Sequence, residues 1–195
     1  MGIGITWMHL EQMDEQTKRQ RFEQSVLPHL NAAYNLARWL ARNDHDAEDI
    51  VQDAYLRAFK FFDGFRGEHG RAWLLGVVRN TYYTWRQKRR RHALNTPFDE
   101  ELHHPELQSA DQPENNPESI LSRHDDLRAL NDALEKLPVE YREMIVLKDL
   151  EDFSYKEIAE ITAAPIGTVM SRLARGRKLL LAHMKQRLQE PGDGM

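Results

Sequence analysis

Residues 154–178 read SYKEIAEITAAPIGTVMSRLARGRK, and this stretch decides the fold of the C-terminal part of the chain. Ser154 and Glu157 have the spacing of a capping box, in which a hydroxyl and a carboxylate satisfy the free amides at a helix start. Pro165 and Gly167 prevent that helix from continuing, so a second helix is expected beyond them. The pattern therefore predicts two short helices joined by a tight turn, a helix-turn-helix.

The second helix of this pair has an apolar side and a basic side. Thr168 is expected to cap it, and a small core is predicted from Ile158, Ile161, Ile166, Val169 and Leu173. The residues expected to reach DNA are Thr168, Met170, Ser171, Arg172, Arg175, Arg177 and Lys178. In the major groove, Arg172 and Arg175 suit guanine edges. Arg177 and Lys178 suit the phosphate backbone. An ordinary helical hairpin with a soluble surface is the alternative.

The rest of the chain also has helical periodicity and lacks the alternating pattern of strands. Apolar residues recur every three or four positions in four segments: 28–42, 46–62, 71–91 and 121–137. A further helix is expected to end near Leu150, with Pro138 in its first turn. These patterns predict an all-α fold.

Residues 95–120 contain four prolines, many acids and few large apolar side chains. Such a stretch cannot bury enough surface to offset the entropy of ordering it, so a flexible acidic linker is predicted. It would join two small helical domains at 21–94 and 121–188, with tails at 1–20 and 189–195.

The formal net charge of −4 argues against nucleic acid as a partner, but the charges are segregated. Residues 86–91 and 172–187 are basic and contain no acid, whereas acids concentrate in 44–53 and 99–118. Because the local field governs phosphate binding, the two basic runs predict DNA contacts. Solvated helix faces are the alternative. We also expect the linker acids to screen the basic runs in the free protein.

Several function classes are disfavoured by what the sequence lacks. It has no cysteine, which excludes disulfides and thiolate metal sites and suits a reducing cytoplasm. No apolar run approaches the roughly 18 residues of a membrane span, and no signal peptide is predicted. The nine histidines are scattered, and the adjacent pair His103-His104 lacks metal-site spacing. No phosphate-binding loop or nucleophile elbow occurs, so no enzyme, metal or cofactor is predicted.

Three C-terminal motifs identify a family resemblance: Leu137-Pro138-x-x-Tyr141-Arg142-Glu143, Ser154-Tyr155-x-Glu157-Ile158-Ala159 and Pro165-Ile166-Gly167-Thr168-Val169-x-Ser171-Arg172-Leu173-x-Arg175-Gly176-Arg177. They resemble the promoter-binding C-terminal domain of extracytoplasmic-function (ECF, group IV) bacterial sigma factors. The resemblance implies binding to the −35 element and to the flap of the polymerase β subunit. Met170 stands where many members carry Arg, so an altered −35 preference is expected.

Residues 46–59, DAEDIVQDAYLRAF, have one apolar face and one polar face. The polar face carries both signs of charge, which suits a complementary charged helix; a merely solvated face is the alternative. The stretch resembles the family segment that binds the clamp helices of the polymerase β′ subunit. The polymerase-binding residues implied are Glu48, Asp49, Gln52, Asp53 and Arg57.

Residues 65–80 resemble the family's −10 element, where a loop captures a flipped base of single-stranded DNA and the next helix follows the duplex junction. Glycines let a backbone approach a nucleotide closely, and aromatic pockets offset the cost of extruding a base. The −10 contacts implied are Phe65, Arg66, Gly67, Glu68, His69, Arg71, Arg79, Asn80, Tyr83 and Arg86. Trp73 is expected in the core. The loop is about one residue shorter than in some members.

The resemblance implies a sigma factor that has no catalytic activity and acts with core RNA polymerase and promoter DNA, under an anti-sigma factor. The third domain of larger sigma factors has no room in the linker. One alternative is an autonomous helix-turn-helix regulator, which predicts tight duplex binding without polymerase. Another is a helical protein that sequesters a sigma factor, for which Arg172 and Arg175 would be dispensable.

Overall fold

A computed structural model of the chain describes residues 15–66, 69–95 and 128–189, and every regular element among them is a helix. The predicted all-α class is confirmed. The helices fall into two compact units. The N-terminal unit contains α1 (15–25), a 3₁₀ turn (Leu27–His29), α2 (Leu30–Ala41), α3 (Asp44–Phe61), a 3₁₀ turn (Phe62–Gly64) and α4 (Gly70–Asn95).

The C-terminal unit is built mainly from four helices. They are α5 (128–135), α6 (Val139–Ile145), which continues as a π-helical turn (Val146–Leu150), α7 (Tyr155–Thr162) and α8 (Ile166–Gln189). Much of the predicted linker, the ends of the chain and the pair His103-His104 lie outside the described residues. No helix among those described is long and apolar enough to cross a membrane.

The core of the N-terminal unit lies where α2, α3 and α4 pack on one another. Each helix contributes an apolar stripe, and the buried side chains include Leu36, Leu40, Ile50, Ala54, Ala58, Leu74 and Val78. Helix α1 joins this core through Phe22, whose ring lies edge-on to Phe59 and Phe62 at 5.2 and 5.3 Å between centroids. Such edge contacts add to the burial of the rings.

The corner between α2 and α3 is held by short polar contacts. Arg42 adopts the left-handed conformation that ends α2, with a φ of 63°. Asn43 then caps α3 by accepting a hydrogen bond from the Asp46 amide at 3.0 Å. Arg38, which is buried, forms an ion pair with Asp44 across the corner. Because Asn43 supplies the cap, α3 begins two residues before the predicted start at residue 46.

Helix α4 begins at Gly70, which packs directly against α1. A Cβ at this position would lie 2.2 Å from the carbonyl oxygen of Ser25, so only glycine fits. Leu74 and Val78 of this helix are buried, whereas Val77 is half-buried. Trp73 was expected in the core but is only half-buried, because its ring packs at the edge of the unit against Phe65, 4.9 Å between centroids.

Pro138 precedes α6 and does not lie in its first turn, so that detail of the prediction is wrong. With φ −53° and ψ 141° its backbone is extended, which makes it the N-cap residue. Its carbonyl accepts hydrogen bonds from the amides of Tyr141 at 3.0 Å and Arg142 at 3.1 Å. The helix therefore starts at Val139, although Pro138 sets its direction.

The predicted capping box at the start of α7 is present. The Ser154 amide donates to Glu157 Oε2 at 2.8 Å, and the Glu157 amide donates to Ser154 Oγ at 3.2 Å. Ala163, with a φ of 49°, ends α7. The carbonyl of Pro165 then accepts from the amide of Thr168 at 2.9 Å, which starts α8 at residue 166. Thr168 thus lies in the first turn of α8, and its prediction as the cap is wrong.

The predicted core of the helix-turn-helix holds for four of its five members. Ile158, Ile161, Val169 and Leu173 are buried, whereas Ile166 is 47% exposed. Side chains on a helix tilt toward its N-terminus, so the side chain of a first residue projects past the helix end. Ile166 is that first residue, which is why its inclusion in the core was wrong.

Candidate nucleic-acid and polymerase interfaces

The polar face of α3 carries the residues predicted to bind polymerase. Glu48, Asp49, Gln52 and Asp53 are exposed, and Arg57 is half-buried. They share one side of the helix because the opposite side, which includes Ile50 and Ala54, is buried against the unit. The structure thus brings all five together on a mainly acidic surface, as expected from their spacing.

Two ion pairs within α3 order this acidic surface. Arg57 Nη2 lies 2.9 Å from Asp53 Oδ2, and His45 Nδ1 lies 3.6 Å from Asp49 Oδ2. The pKa of His45 is raised, chiefly by a backbone hydrogen bond and then by the charge of Asp49. Three of the four side chains are exposed and Arg57 is half-buried, so both pairs are weak and can exchange for an intermolecular partner.

Asp46 does not belong to this docking surface. Its Oδ2 accepts a hydrogen bond from Arg89 Nη1 at 2.7 Å, which ties the start of α3 to α4. The Arg89 guanidinium also lies over the Trp85 ring, 5.0 Å from its centroid. One arginine of the predicted basic run is therefore engaged within the unit.

Helix α4 presents a shallow polar groove that includes three of the predicted −10 contacts. Asn80, Tyr83 and Arg86 line it, together with Thr84, Gln87 and Arg90. Arg79 lies beside it, with its guanidinium 4.7 Å from the Tyr83 ring centroid. The whole helix, residues 70–95, contains no acidic residue. An aromatic ring among cations is suited to a nucleic acid strand, because bases stack and phosphates pair.

From the sequence, Gln87 was not singled out, and Arg90 was placed only in the basic run that was expected to contact DNA; both residues line this groove. Helical spacing could have found them, since Gln87 follows Tyr83 and Arg90 follows Arg86 by four residues. Arg71 is placed elsewhere. It lies beside His29, whose pKa is lowered by burial and then by the Arg71 charge.

The predicted −10 loop is partly described. Phe65 is half-buried and stacks on Phe62, with 5.6 Å between ring centroids, so much of its surface serves the aromatic cluster. Arg66 and His69 are exposed. Gly67 and Glu68 lie outside the described residues. Arg66 and His69 are thus the described side chains of this loop with most of their surface free to meet a partner.

The face of α8 predicted to read DNA points away from the core. Met170, Ser171, Arg175, Arg177 and Lys178 are exposed, while Thr168 and Arg172 are half-buried. The Ser171 hydroxyl donates to the Thr168 carbonyl at 3.1 Å. Residues 166–189 contain no acid, so the field along this helix is positive throughout.

Arg177 differs from the other basic residues of this face. Its Nε and Nη2 donate to the two carboxylate oxygens of Asp149 at 3.1 and 2.5 Å. Asp149 lies in the π-helical turn and was not singled out from the sequence. The spacing of 28 residues between the partners gave no signal for this pair.

Within the described ranges, no group of three histidine, aspartate or glutamate side chains is arranged to hold a metal ion. A cavity of about 710 Å³ lies between α1 and α3 in the N-terminal unit, and its lining includes Phe22, Leu27 and Phe59.

Comparisons with known proteins agree with this geometry. The family Sigma-70 region 2 matches residues 26–92, and the family Sigma-70, region 4 matches residues 127–180. An ECF RNA polymerase sigma-E factor of Haemophilus influenzae is 30% identical over 190 residues, covering 92% of this chain and 96% of that protein. The ECF RNA polymerase sigma factor SigE of Mycolicibacterium smegmatis is 32% identical, and the match covers 90% of this chain and 66% of that relative's length.

A solved structure is also similar, the sigma factor RpoE from Bartonella quintana in complex with the anti-sigma factor NepR. It has a TM-score of 0.69 and 31% identity, with 85% of this chain and 98% of that chain covered. Fold and site together define a protein of the sigma-70 type with a region 2 and a region 4. More narrowly, the chain belongs to the ECF RNA polymerase sigma factors.

Proposed function

We propose that this chain acts as a group IV sigma factor, which binds core RNA polymerase, directs it to −35 and −10 promoter elements and promotes melting of the DNA. The observation that carries the proposal is the pairing of two surfaces on one helical unit. An acidic face on α3 suits a protein partner, and an acid-free α4 with a stacking groove suits DNA. In this proposal the chain supplies no catalytic group, and the polymerase catalyses RNA synthesis.

Core polymerase binds through the exposed face of α3. Glu48, Asp49, Gln52 and Asp53 offer acceptors to a basic helical surface, which in this family would be the clamp helices of β′. Arg57 supplies a donor beside them. Charged and polar groups arranged in this way steer association and set orientation. The β flap would contact the C-terminal unit.

The −10 element binds along α4 and the preceding loop. Asn80, Tyr83 and Arg86 share one groove, so a single strand can stack on the tyrosine ring while its phosphates meet arginines. Arg66, Gly67, Glu68 and His69 of the loop, with Phe65 at its base, would contact the extruded base. Arg71, near the start of α4, is also proposed to contact the DNA, and its charge lies beside His29.

The −35 element binds the first half of α8 in the major groove. Arg172 and Arg175 are proposed to reach base edges, while Ser171 and Lys178 serve bases or phosphates. Thr168 and Met170 complete the surface at the helix start. The exposure of Met170 and Arg175 supports this orientation, because Val169 and Leu173 of the same helix are buried.

Regulation by an anti-sigma factor is proposed from the similar solved structure, which was determined with the anti-sigma factor NepR bound. A protein that covers the α3 face or the α4 groove would block polymerase or DNA. Action in the cytoplasm follows from the proposed partners, since core polymerase and the chromosome are there.

Run-off transcription tests this function. The purified chain is added to purified bacterial core polymerase on a library of genomic promoter fragments, and the transcripts are sequenced. We expect initiation from a restricted set of promoters that share −35 and −10 sequences, together with weak DNA binding by the chain alone. Tight specific duplex binding without polymerase would favour an autonomous regulator. Absence of any initiation, with the chain instead blocking another sigma factor, would favour a sequestering protein.

A further inference from the structure

Arg177 lies at a junction of three elements in the C-terminal unit. Its guanidinium makes two parallel hydrogen bonds to Asp149, at the end of α6. Tyr155, the first residue of α7, lies nearby, and the pKa of Arg177 is raised chiefly by its hydrogen bonds to Asp149. One side chain of α8 is thus joined to the turn that follows α6, close to the start of α7.

The neighbouring residue explains why α8 can come so close. Gly176 is buried, and a Cβ there would lie 3.2 Å from the Cδ1 atom of Ile145 and 3.2 Å from the Cβ atom of Tyr141. Because glycine has no side chain, the backbone of α8 can pack directly against α6. Arg177 then spans from that contact to the π-helical turn, so two consecutive residues fix the position of α8.

The two hydrogen bonds to the Asp149 carboxylate restrict the orientation of the Arg177 guanidinium. Arginine presents its donors in a planar fork that matches a carboxylate, and two parallel bonds fix both distance and orientation. The Asp149 charge would also repel a phosphate placed beside it. A side chain held in this way is suited to hold a helix in place and poorly suited to bind the DNA backbone.

We infer that Arg177 is a positioning residue for −35 recognition: through Asp149 it holds α8 at the angle at which Arg172 and Arg175 reach the bases. This revises the sequence prediction that Arg177 contacts phosphate. The inference rests on the proposed −35 binding. Asp149, which was not singled out from the sequence, is then a positioning residue as well, because it holds the Arg177 side chain.

The two roles predict opposite results for Asp149→Asn. If Arg177 bound phosphate, removal of the competing carboxylate would free it and strengthen DNA binding. For a positioning pair, we expect D149N, R177Q and R177K each to reduce, by about threefold to tenfold, the preference of holoenzyme for a promoter over the same fragment with a scrambled −35 element. The promoter is one returned by the run-off screen. Affinity for the scrambled fragment should stay unchanged, which a merely misfolded unit would not allow.

Two further measurements complete the test. The double variant D149N/R177Q should lose no more preference than either single variant, because both remove one interaction. The salt dependence of promoter binding should keep its slope in R177Q, whereas the control K178Q should lower the slope by about one. Tighter binding by D149N, or a slope lowered by R177Q, would overturn the inference.

Failure of the proposed function would look different. In that case the run-off screen would return no promoter, so there would be no preference for D149N or R177Q to reduce. Thermal unfolding of the full chain separates the two cases without DNA, because D149N and R177Q should still show coupled, non-additive shifts of the melting temperature if the pair holds α8. Additive shifts would count against the pair.

Discussion

Met170 is the residue at which the DNA-reading face departs most from a fully polar surface. Its side chain is 52% exposed on the face that includes Ser171 and Arg175. A thioether cannot donate to the acceptors of guanine, but it can contact the methyl group of thymine. The base opposite this residue is therefore expected to be read by apolar contact.

The substitution Met170→Arg should change the −35 preference toward guanine at that base, because arginine can donate two hydrogen bonds to guanine N7 and O6. Selection of promoters from a library with a randomised −35 element, using holoenzyme, measures the change. Leu181→Arg is the control. Leu181 is 55% exposed further along α8, and its substitution by arginine adds the same charge to the helix. If both variants select the unaltered sequence, Met170 does not read a base.

Among the glycines that the structure describes in the N-terminal unit, Gly70 has the least space around it. Gly70→Ala should destabilise this unit by about 1–3 kcal/mol, because a Cβ would collide with the backbone oxygen of Ser25. Gly64→Ala is the control: its Cβ would meet nothing within 4 Å, and its φ is not positive, so a change within about 0.5 kcal/mol is expected. Chemical unfolding followed by tryptophan fluorescence gives both values. Equal stabilities would contradict the close packing of α1 against α4.

At the scale of the helices, α3 is proposed to carry the polymerase contact through its acidic face. Asp49→Lys should weaken binding to core polymerase by about tenfold or more, since it places a repulsive charge in the centre of a complementary surface. Equilibrium binding of the labelled chain to purified core polymerase measures the loss.

Glu23→Lys is a closely matched control for that change. The side chain of Glu23 is 53% exposed and that of Asp49 is 59% exposed. Each lies 3.6 Å from a basic partner one helical turn away on its own helix. The two reversals thus change the net charge equally. An equal loss in both variants would show that overall charge, and not the face of α3, determines binding.

The helices were predictable because their apolar spacing is regular, but their ends were not. The prediction started α8 at Thr168, whereas the Pro165 carbonyl starts it two residues earlier. The predicted exposed face of the helix did not depend on where the helix starts, because Val169 and Leu173 are buried as predicted. The cap at Asn43 was missed for a similar reason, since caps depend on one local hydrogen bond.

Polar contacts between residues far apart in the chain could not be predicted from the sequence. The π-helical turn at Val146–Leu150 shifts the helical register by closing a five-residue hydrogen bond from the Glu151 amide to the Val146 carbonyl, 2.9 Å. Periodicity of 3.6 residues cannot anticipate such a turn. It carries Asp149, and this is why Arg177 was assigned to phosphate from the sequence alone.

At the scale of the whole molecule, basic and acidic residues are segregated into different parts of the chain. Acid-free helices α4 and α8 lie in different units, while acids crowd the α3 face and the stretch between the units. The positive field that we propose to attract DNA is therefore local to these two helices, although the net charge is −4. The segment 99–118 joins these units and lies outside the described residues.

Neutralising acids of that segment should strengthen DNA binding by the chain alone several-fold at low salt. The five acids are Asp99, Glu100, Glu101, Glu106 and Asp111. The effect should fade as salt screens the charges. Binding to a labelled nonspecific duplex without polymerase measures it. In the control variant, alanine replaces five uncharged residues: Gln108, Ser109, Gln112, Asn115 and Asn116. Unchanged binding on neutralisation would rule out screening.

The central claim is that two helical units of one chain hold a promoter while attached to a polymerase that does the chemistry. The most direct test is sedimentation of the purified chain, free of any inhibitor, with purified bacterial core polymerase at low salt. We predict a stoichiometric complex that protects promoter DNA at two separated elements. A chain that sediments apart from the polymerase under these conditions would contradict the account.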